Sequence, residues 1–159
     1  MMNNREFILR RYQPNDIDAI LSLFHDTVHS VCAKDYTPEQ LGAWAGGSVD
    51  KAAWNVSLQA HHTLVAENGG MIVGFGDIDG DYLDRLYVHK DWQGRGVATA
   101  ILTALEQHAR EAGKVCIVTH ASVTARLFFE RRGFAMVKEQ QVERKGMLLT
   151  NFVMEKALG

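Results

Sequence analysis

The chain has 159 residues, enough for one domain with a sizeable core spanning 1–159. Seventeen Lys and Arg against nineteen Asp and Glu leave a formal charge of −2, which argues against a nucleic-acid-binding surface spread over the whole protein. No apolar run approaches membrane-spanning length, the start MMNNREF does not read as a signal peptide, and Cys32 and Cys116 are too few for a disulfide framework, so a cytoplasmic protein away from membranes is expected.

Phe7 to Tyr12 reads as a first strand, turned by Gln13-Pro14-Asn15. Asn15 is the expected N-cap of a helix with Asp16 and Asp18 in its first turn. Ile17, Ile20, Leu21, Phe24, Val28 and Val31 follow at helical spacing. Thr37-Pro38-Glu39-Gln40 starts a second helix, with Thr as cap, Pro at N1 and Gln as the capping-box partner; Gly46-Gly47 ends it. Asp50 caps a further short helix carrying Ala53, Trp54 and Leu58. His62 to Glu67 and Met71 to Asp77 form a hairpin around Asn68-Gly69-Gly70, and Asp79-Gly80 turns into Tyr82 to His89. A long amphipathic helix runs from Gly96 to a stop at Gly113. Val115 to Thr119 is a strand in which Cys116 is expected to be a small core residue. Ser122 to Arg132 is a helix ended by Gly133, and Ala135 to Glu143 pairs with Leu148 to Glu155 around Arg144-Lys145-Gly146, read as a solvated turn. This order predicts a mixed α+β fold: one central, mostly antiparallel sheet of about seven strands with helices on both faces.

The stretch Leu86 to Ala112 carries the chemistry. A strand ending LYV feeds Gln93-Gly94-Arg95-Gly96 and then a helix N-terminus, whose first amides lack intrahelical partners and whose dipole attracts anions. The bland alternative is an ordinary strand-to-helix turn. A dinucleotide fingerprint is disfavoured because Thr99 stands where its third glycine belongs, and no Gly-Lys-Ser/Thr follows as a Walker loop requires.

Gln93-x-x-Gly96-x-Ala98 resembles the Gln/Arg-x-x-Gly-x-Gly/Ala signature of the GNAT superfamily of acyl-CoA-dependent N-acetyltransferases. Downstream, Ser122-Val-Thr-Ala125-Arg-Leu-Phe-Phe129-Glu-Arg-Arg-Gly133-Phe134 resembles that family's second coenzyme-facing helix. The resemblance implies the GNAT fold with strands four and five splayed apart, and acetyl-CoA as co-substrate. It also implies coenzyme contacts from Leu86, Tyr87, Val88, Gln93, Gly94, Arg95, Gly96, Val97, Ala98, Thr99, Ser122, Phe128, Phe129 and Arg131. Small members are often dimers, so a homodimer enters as an expectation. Phe129 departs from the pattern: many members carry a tyrosine there that protonates the leaving thiolate.

Acyl transfer to an amine needs a base, since an amine of pKa near ~10 is mostly protonated at neutral pH. Among Asp77, Asp79, Asp81 and Asp84, the last is the expected base, two residues before Leu86 on one strand face; the other three read as a solvated turn. A calcium loop is rejected because Tyr82 holds its glycine position. Tyr36 or Tyr87 is a candidate replacement for the missing acid, and His120 is a candidate shuttle or a loop cap. His29, Tyr36, Trp44 and the last hairpin are nominated for the acceptor, a small-molecule or peptide amine, although packing is the commoner use of such aromatics. No metal is expected: His25 and His29 have i,i+4 spacing but lack an evident third ligand, and His61 and His62 read as exposed. The rival class is a non-catalytic acyl-CoA-binding sensor that kept the coenzyme grip and lost the chemistry.

Overall fold

A computed structural model describes residues 6–46 and 49–159. The chain runs β1 (Ile8–Arg11), a 3-10 turn (Pro14–Asp16), α1 (Ile17–Val31), α2 (Pro38–Trp44), α3 (Lys51–Ala60), β2 (His62–Asn68), β3 (Met71–Asp79) and β4 (Tyr82–Val88). A second 3-10 turn (Lys90–Trp92) leads to α4 (Val97–Glu111), β5 (Cys116–Ser122), α5 (Arg126–Arg131), β6 (Ala135–Arg144) and β7 (Met147–Ala157).

The seven strands form one sheet in the order β1-β2-β3-β4-β5-β7-β6. Every pairing is antiparallel except β4 with β5. Alternating side chains divide the core between the two faces. On β2, Leu64 and Ala66 join the cluster under α4 and α5, while Val65 joins Ile20, Phe24, Leu41 and Leu58 under α1, α2 and α3. The packing of α4 needs two glycines on β3. A Cβ on Gly74 would lie 2.7 Å from Val97 Cγ1, and one on Gly76 would lie 2.9 Å from Ile101 Cγ2. Without those side chains the helix settles closely on the sheet, which fixes where its N-terminus points.

Local signals hold where the interaction is local. Thr37 Oγ1 accepts from Gln40 N at 3.1 Å, and Gln40 Oε1 accepts from Thr37 N at 2.9 Å, closing the capping box. Asp50 accepts from Ala53 N at 3.0 Å and caps α3. Gly69 and Gly70 both take positive φ in the β2–β3 turn. Other expectations need correction. Asn15 is not the cap of α1: Asp16 takes that place, with Oδ2 accepting from Gln13 N and the Arg10 guanidinium binding both oxygens. Helix α2 ends at Trp44 with Ala45 as its C-cap, and Gly47 lies outside the described residues, as does most of MMNNREF. Strand β5 continues through His120 to Ser122, so His120 is a strand residue rather than a loop cap, and α5 is shorter than the Ser122–Arg132 reading. Cys116 is half-buried, and Cys32 is the buried cysteine.

Candidate active site

Strands β4 and β5 pair at two positions, Tyr82 with Val118 and Leu83 with Thr119. Thr119 Oγ1 donates to Leu83 O at 2.9 Å, and beyond that point the strands part. The open edge of β4 carries main-chain groups. Ladder bonds alternate along an antiparallel strand. With His89 N donating to Val73 O at 2.8 Å, the neighbouring Val88 turns its amide and carbonyl away from β3, towards the cleft. Its carbonyl accepts from Thr27 Oγ1 at 3.2 Å and Gln93 Nε2 at 2.7 Å, which braces the loop against the strand end.

The loop itself is built for an anion. Gly94 and Gly96 adopt φ of 74° and 82°, a region that L side chains rarely enter, and nothing lies within 4 Å of where their Cβ atoms would be. Gly96 is the N-cap of α4 and offers no capping side chain, so the first-turn amides face outward unblocked. Arg95 lies over Trp92 at 4.6 Å and pairs with Glu6 at 3.1 Å. The cation that reaches the first turn of α4 from the other side is Arg132, whose Nη2 donates to Thr99 Oγ1 at 2.6 Å while its guanidinium covers Phe128 at 4.2 Å. Sequence reasoning chose Arg131, but that side chain is exposed and lines neither cavity described below.

Two cavities meet at the splay. A cleft of about 200 Å3 runs between β4 and β5, walled by Leu86, Val88, Ala98, Ser122, Phe128 and Phe129. A cavity of about 600 Å3 opens on the side of α2, α3 and the β6–β7 hairpin. Asp84 and His120 line both, together with Trp44, Arg85, Tyr87 and Ser122. The His120 ring meets the Tyr82 ring edge-on at 5.3 Å. A carboxylate and an imidazole therefore stand where the two spaces join, with the outward-facing Val88 amide further along β4. Such an arrangement can deprotonate a group entering from one side and stabilise negative charge forming on the other.

Behind Asp84 lies a charge network that the sequence reading missed. Asp77 is fully buried, not part of a solvated turn. It sits directly across the ladder from Arg85, whose Nη1 donates to Asp77 Oδ2 and lies 3.4 Å from Asp84 Oδ2. His61 Nδ1 bonds the same Asp77 oxygen at 2.8 Å, so His61 is not an exposed edge residue. Burial pushes the Asp77 carboxyl up, and the Arg85 guanidinium and His61 ring pull it back. Arg85 also donates to Ser57 Oγ at 3.1 Å and covers Trp54 at 4.4 Å. His61, Asp77 and Asp84 bring ligand atoms within 4.8 Å of one another, but the guanidinium already occupies the space that a metal ion would contest. His62 is likewise not exposed: it stacks on His108 at 3.7 Å, and burial lowers its pKa to about 4.

The remaining candidates separate. Tyr36 and Trp44 line the larger cavity and meet edge-on at 5.4 Å. The Tyr36 hydroxyl donates to Thr150 O at 2.7 Å and accepts from Val123 N at 2.9 Å, and burial raises its pKa. Its proton is committed to a main-chain carbonyl. Burial holds the Tyr87 phenol well above its ordinary value. His29 lies elsewhere: Nε2 bonds Ala45 O at 2.6 Å, tying α1 to the end of α2, and it lines neither cavity. Ser122 Oγ accepts from Ala125 N at 3.0 Å and shapes the turn into α5. Phe129 packs between Phe128 and Phe134 and presents no hydroxyl. Arg144 and Lys145 line the large cavity rather than projecting from a featureless turn. Their contribution, like those of Trp54, Tyr82 and Arg85, depends on how distant strands and helices meet.

The family model of the acetyltransferase (GNAT) domain matches residues 32–156. An uncharacterized N-acetyltransferase of Escherichia coli K12, YafP, is 37% identical over 153 residues, covering 96% of both chains. A crystal structure from Rhodopseudomonas palustris, described as a GCN5-related N-acetyltransferase, is 35% identical, covers 99% of both chains and superposes with a TM-score of 0.93. The Salmonella typhimurium protein yncA, a putative acetyltransferase solved with acetyl-CoA, is 21% identical, covers 96% of this chain and 94% of its own, and has the same fold at a TM-score of 0.73. The chain belongs to the GNAT acetyltransferase family and is an N-acetyltransferase of that family.

Proposed function

We infer that the chain transfers the acetyl group of acetyl-CoA to a primary amine by direct attack, with both substrates bound at once. The observation that carries this reading is that Asp84 and His120 border the β4–β5 cleft and the acceptor-side cavity together. First-turn amides from Gly94 to Ala98 hold the coenzyme diphosphate, aided by Arg95 and Arg132. The pantetheine arm lies along the open edge of β4 in the manner of an added strand, against Ala98, Phe128 and Phe129. The yncA complex with acetyl-CoA supports this choice of co-substrate.

Asp84 takes a proton from the incoming ammonium, directly or through water. The freed amine nitrogen attacks the thioester carbonyl carbon, and the Val88 N–H stabilises the resulting oxyanion. The C–S bond then breaks, CoA departs as thiolate, and the second amine proton passes to solvent water as the amide forms. A thiol pKa near ~8.5 makes the thiolate a fair leaving group, so the phenylalanine at 129 does not stop the reaction. Holding amine and thioester together supplies much of the rate.

The test is incubation with acetyl-CoA, a panel of amines and a thiol reagent. Thiol release that depends on an added amine is expected. Tight CoA binding without release for any amine would leave a coenzyme-binding sensor and overturn the catalytic reading.

A further inference from the structure

The large cavity is lined by charged side chains of both signs. Where it joins the coenzyme cleft it holds Asp84 and His120, with Arg85 3.4 Å from the Asp84 carboxylate. Away from that junction it is lined by Arg144 and Lys145 of the β6–β7 hairpin and by Asp50 at the start of α3. Tyr36, Trp54 and Tyr82 line it too, and Trp44 stands at the junction.

The hairpin turn is unusual in a way that points at Lys145. Lys145 and Gly146 have φ of 50° and 79°, the pattern of a two-residue type I′ loop between the paired Arg144 and Met147. Glycine, asparagine or aspartate is the ordinary choice for the first of these positions. Lys145 is the one non-glycine residue with positive φ among the described residues. A left-handed conformation costs a lysine conformational energy that asparagine largely avoids. Backbone strain of this kind gathers at ligand clamps and functional sites. Its ammonium lies near the end of α2: a Cβ on Gly46 would be 3.5 Å from Nζ.

We propose that the acceptor is a small amine carrying an anionic group at its far end, with the amine at Asp84, an apolar middle against Trp44 and Trp54, and the anion at Arg144 and Lys145. This rests on the transferase reading above and names its substrate class. A carboxylate or a phosphonate satisfies the same chemistry. A diamine or an aminoglycoside would set a second cation against the two basic side chains and lose that contact.

The test compares matched acceptors with acetyl-CoA: 5-aminopentanoate, 3-aminopropylphosphonate, pentylamine, 1,5-diaminopentane and kanamycin. The anionic amines should exceed pentylamine at least tenfold in kcat/KM, with the diamine and kanamycin lowest. The preferred anion identifies its chemical source. Lys145→Asn removes the charge while suiting the turn, so its effect is not a folding defect. Combined with Arg144→Gln, it should bring the anionic-to-neutral ratio to near one, and Arg144→Lys should keep most of the preference. Equal or better use of neutral or polycationic amines, or a ratio that survives the double variant, overturns the proposal and leaves the transferase reading intact. If CoA binds but no amine releases thiol, the transferase reading fails. Calorimetry of 5-aminopentanoate and 3-aminopropylphosphonate on the CoA-loaded protein then decides the anion seat. Binding that the double variant abolishes supports it, and absent or unchanged binding overturns it.

Discussion

Replacing Asp84 with Asn keeps the shape of the cavity junction and removes its proton acceptor. The expected result is a fall in kcat of roughly 10²- to 10³-fold, with CoA affinity within about twofold of wild type, read by steady-state kinetics and calorimetry. Phe129→Tyr should change kcat by no more than a few fold, because the wild-type thiolate leaves without a phenolic donor. A gain of several hundredfold would show that the missing acid limits the enzyme. Arg132 makes a different prediction. It ties α5 to Thr99 and covers Phe128, so Arg132→Gln should raise KM for acetyl-CoA about tenfold while changing kcat little. The sequence nominates Asp84 by placing it on the strand face of Leu86, and that reason does not hold: between the pairs Asp77–Arg85 and Ile78–Leu83, Asp84 is the extra residue of a β-bulge and lies beside Arg85. Arg132 was not legible, since choosing between Arg131 and Arg132 requires the direction in which a short helix packs against α4.

Caps, turns and the glycine loop were readable because each is an interaction among residues a few positions apart: Thr37 with Gln40, Asp50 with Ala53, Gly94 with Gly96. The pairing of Asp77 with Arg85 was hidden because it depends on β3–β4 register, and a β-bulge between Asp77 and Ile78 interrupts that register. Gly74 and Gly76 read as weak strand residues until α4 is placed against them. Gly74→Ala should cost about 1–3 kcal/mol, since the new methyl must displace Val97 Cγ1 from 2.7 Å, and thermal unfolding measures this. The contact of β2 with α4 carries a pH dependence. The folded chain keeps His62 neutral down to about pH 4, whereas an unfolded histidine binds its proton near ~6.5. Stability is therefore full above about pH 6.5 and declines as the pH falls towards 4. His62→Phe should flatten that slope in melting curves taken between pH 4 and 7; an unchanged slope would place the titration elsewhere.

Seven strands, two helical layers and one splay combine to hold two substrate spaces against each other without a segment between them. Initial-velocity plots against both substrates should intersect, as expected when amine and acetyl-CoA are bound together. Parallel lines would indicate an acetylated enzyme instead. Among the described residues no helix is long and apolar enough to cross a membrane. The proposed function rests on the turn into α4 holding the coenzyme by its diphosphate. Calorimetric titration of CoA into wild type and Gly96→Asp tests this most directly, because the substitution adds strain at φ of 82° and a negative charge at the anion seat. Wild type should bind CoA with a clear heat signal and the variant at least a hundredfold more weakly; equal binding by both, or none by wild type, would contradict the account.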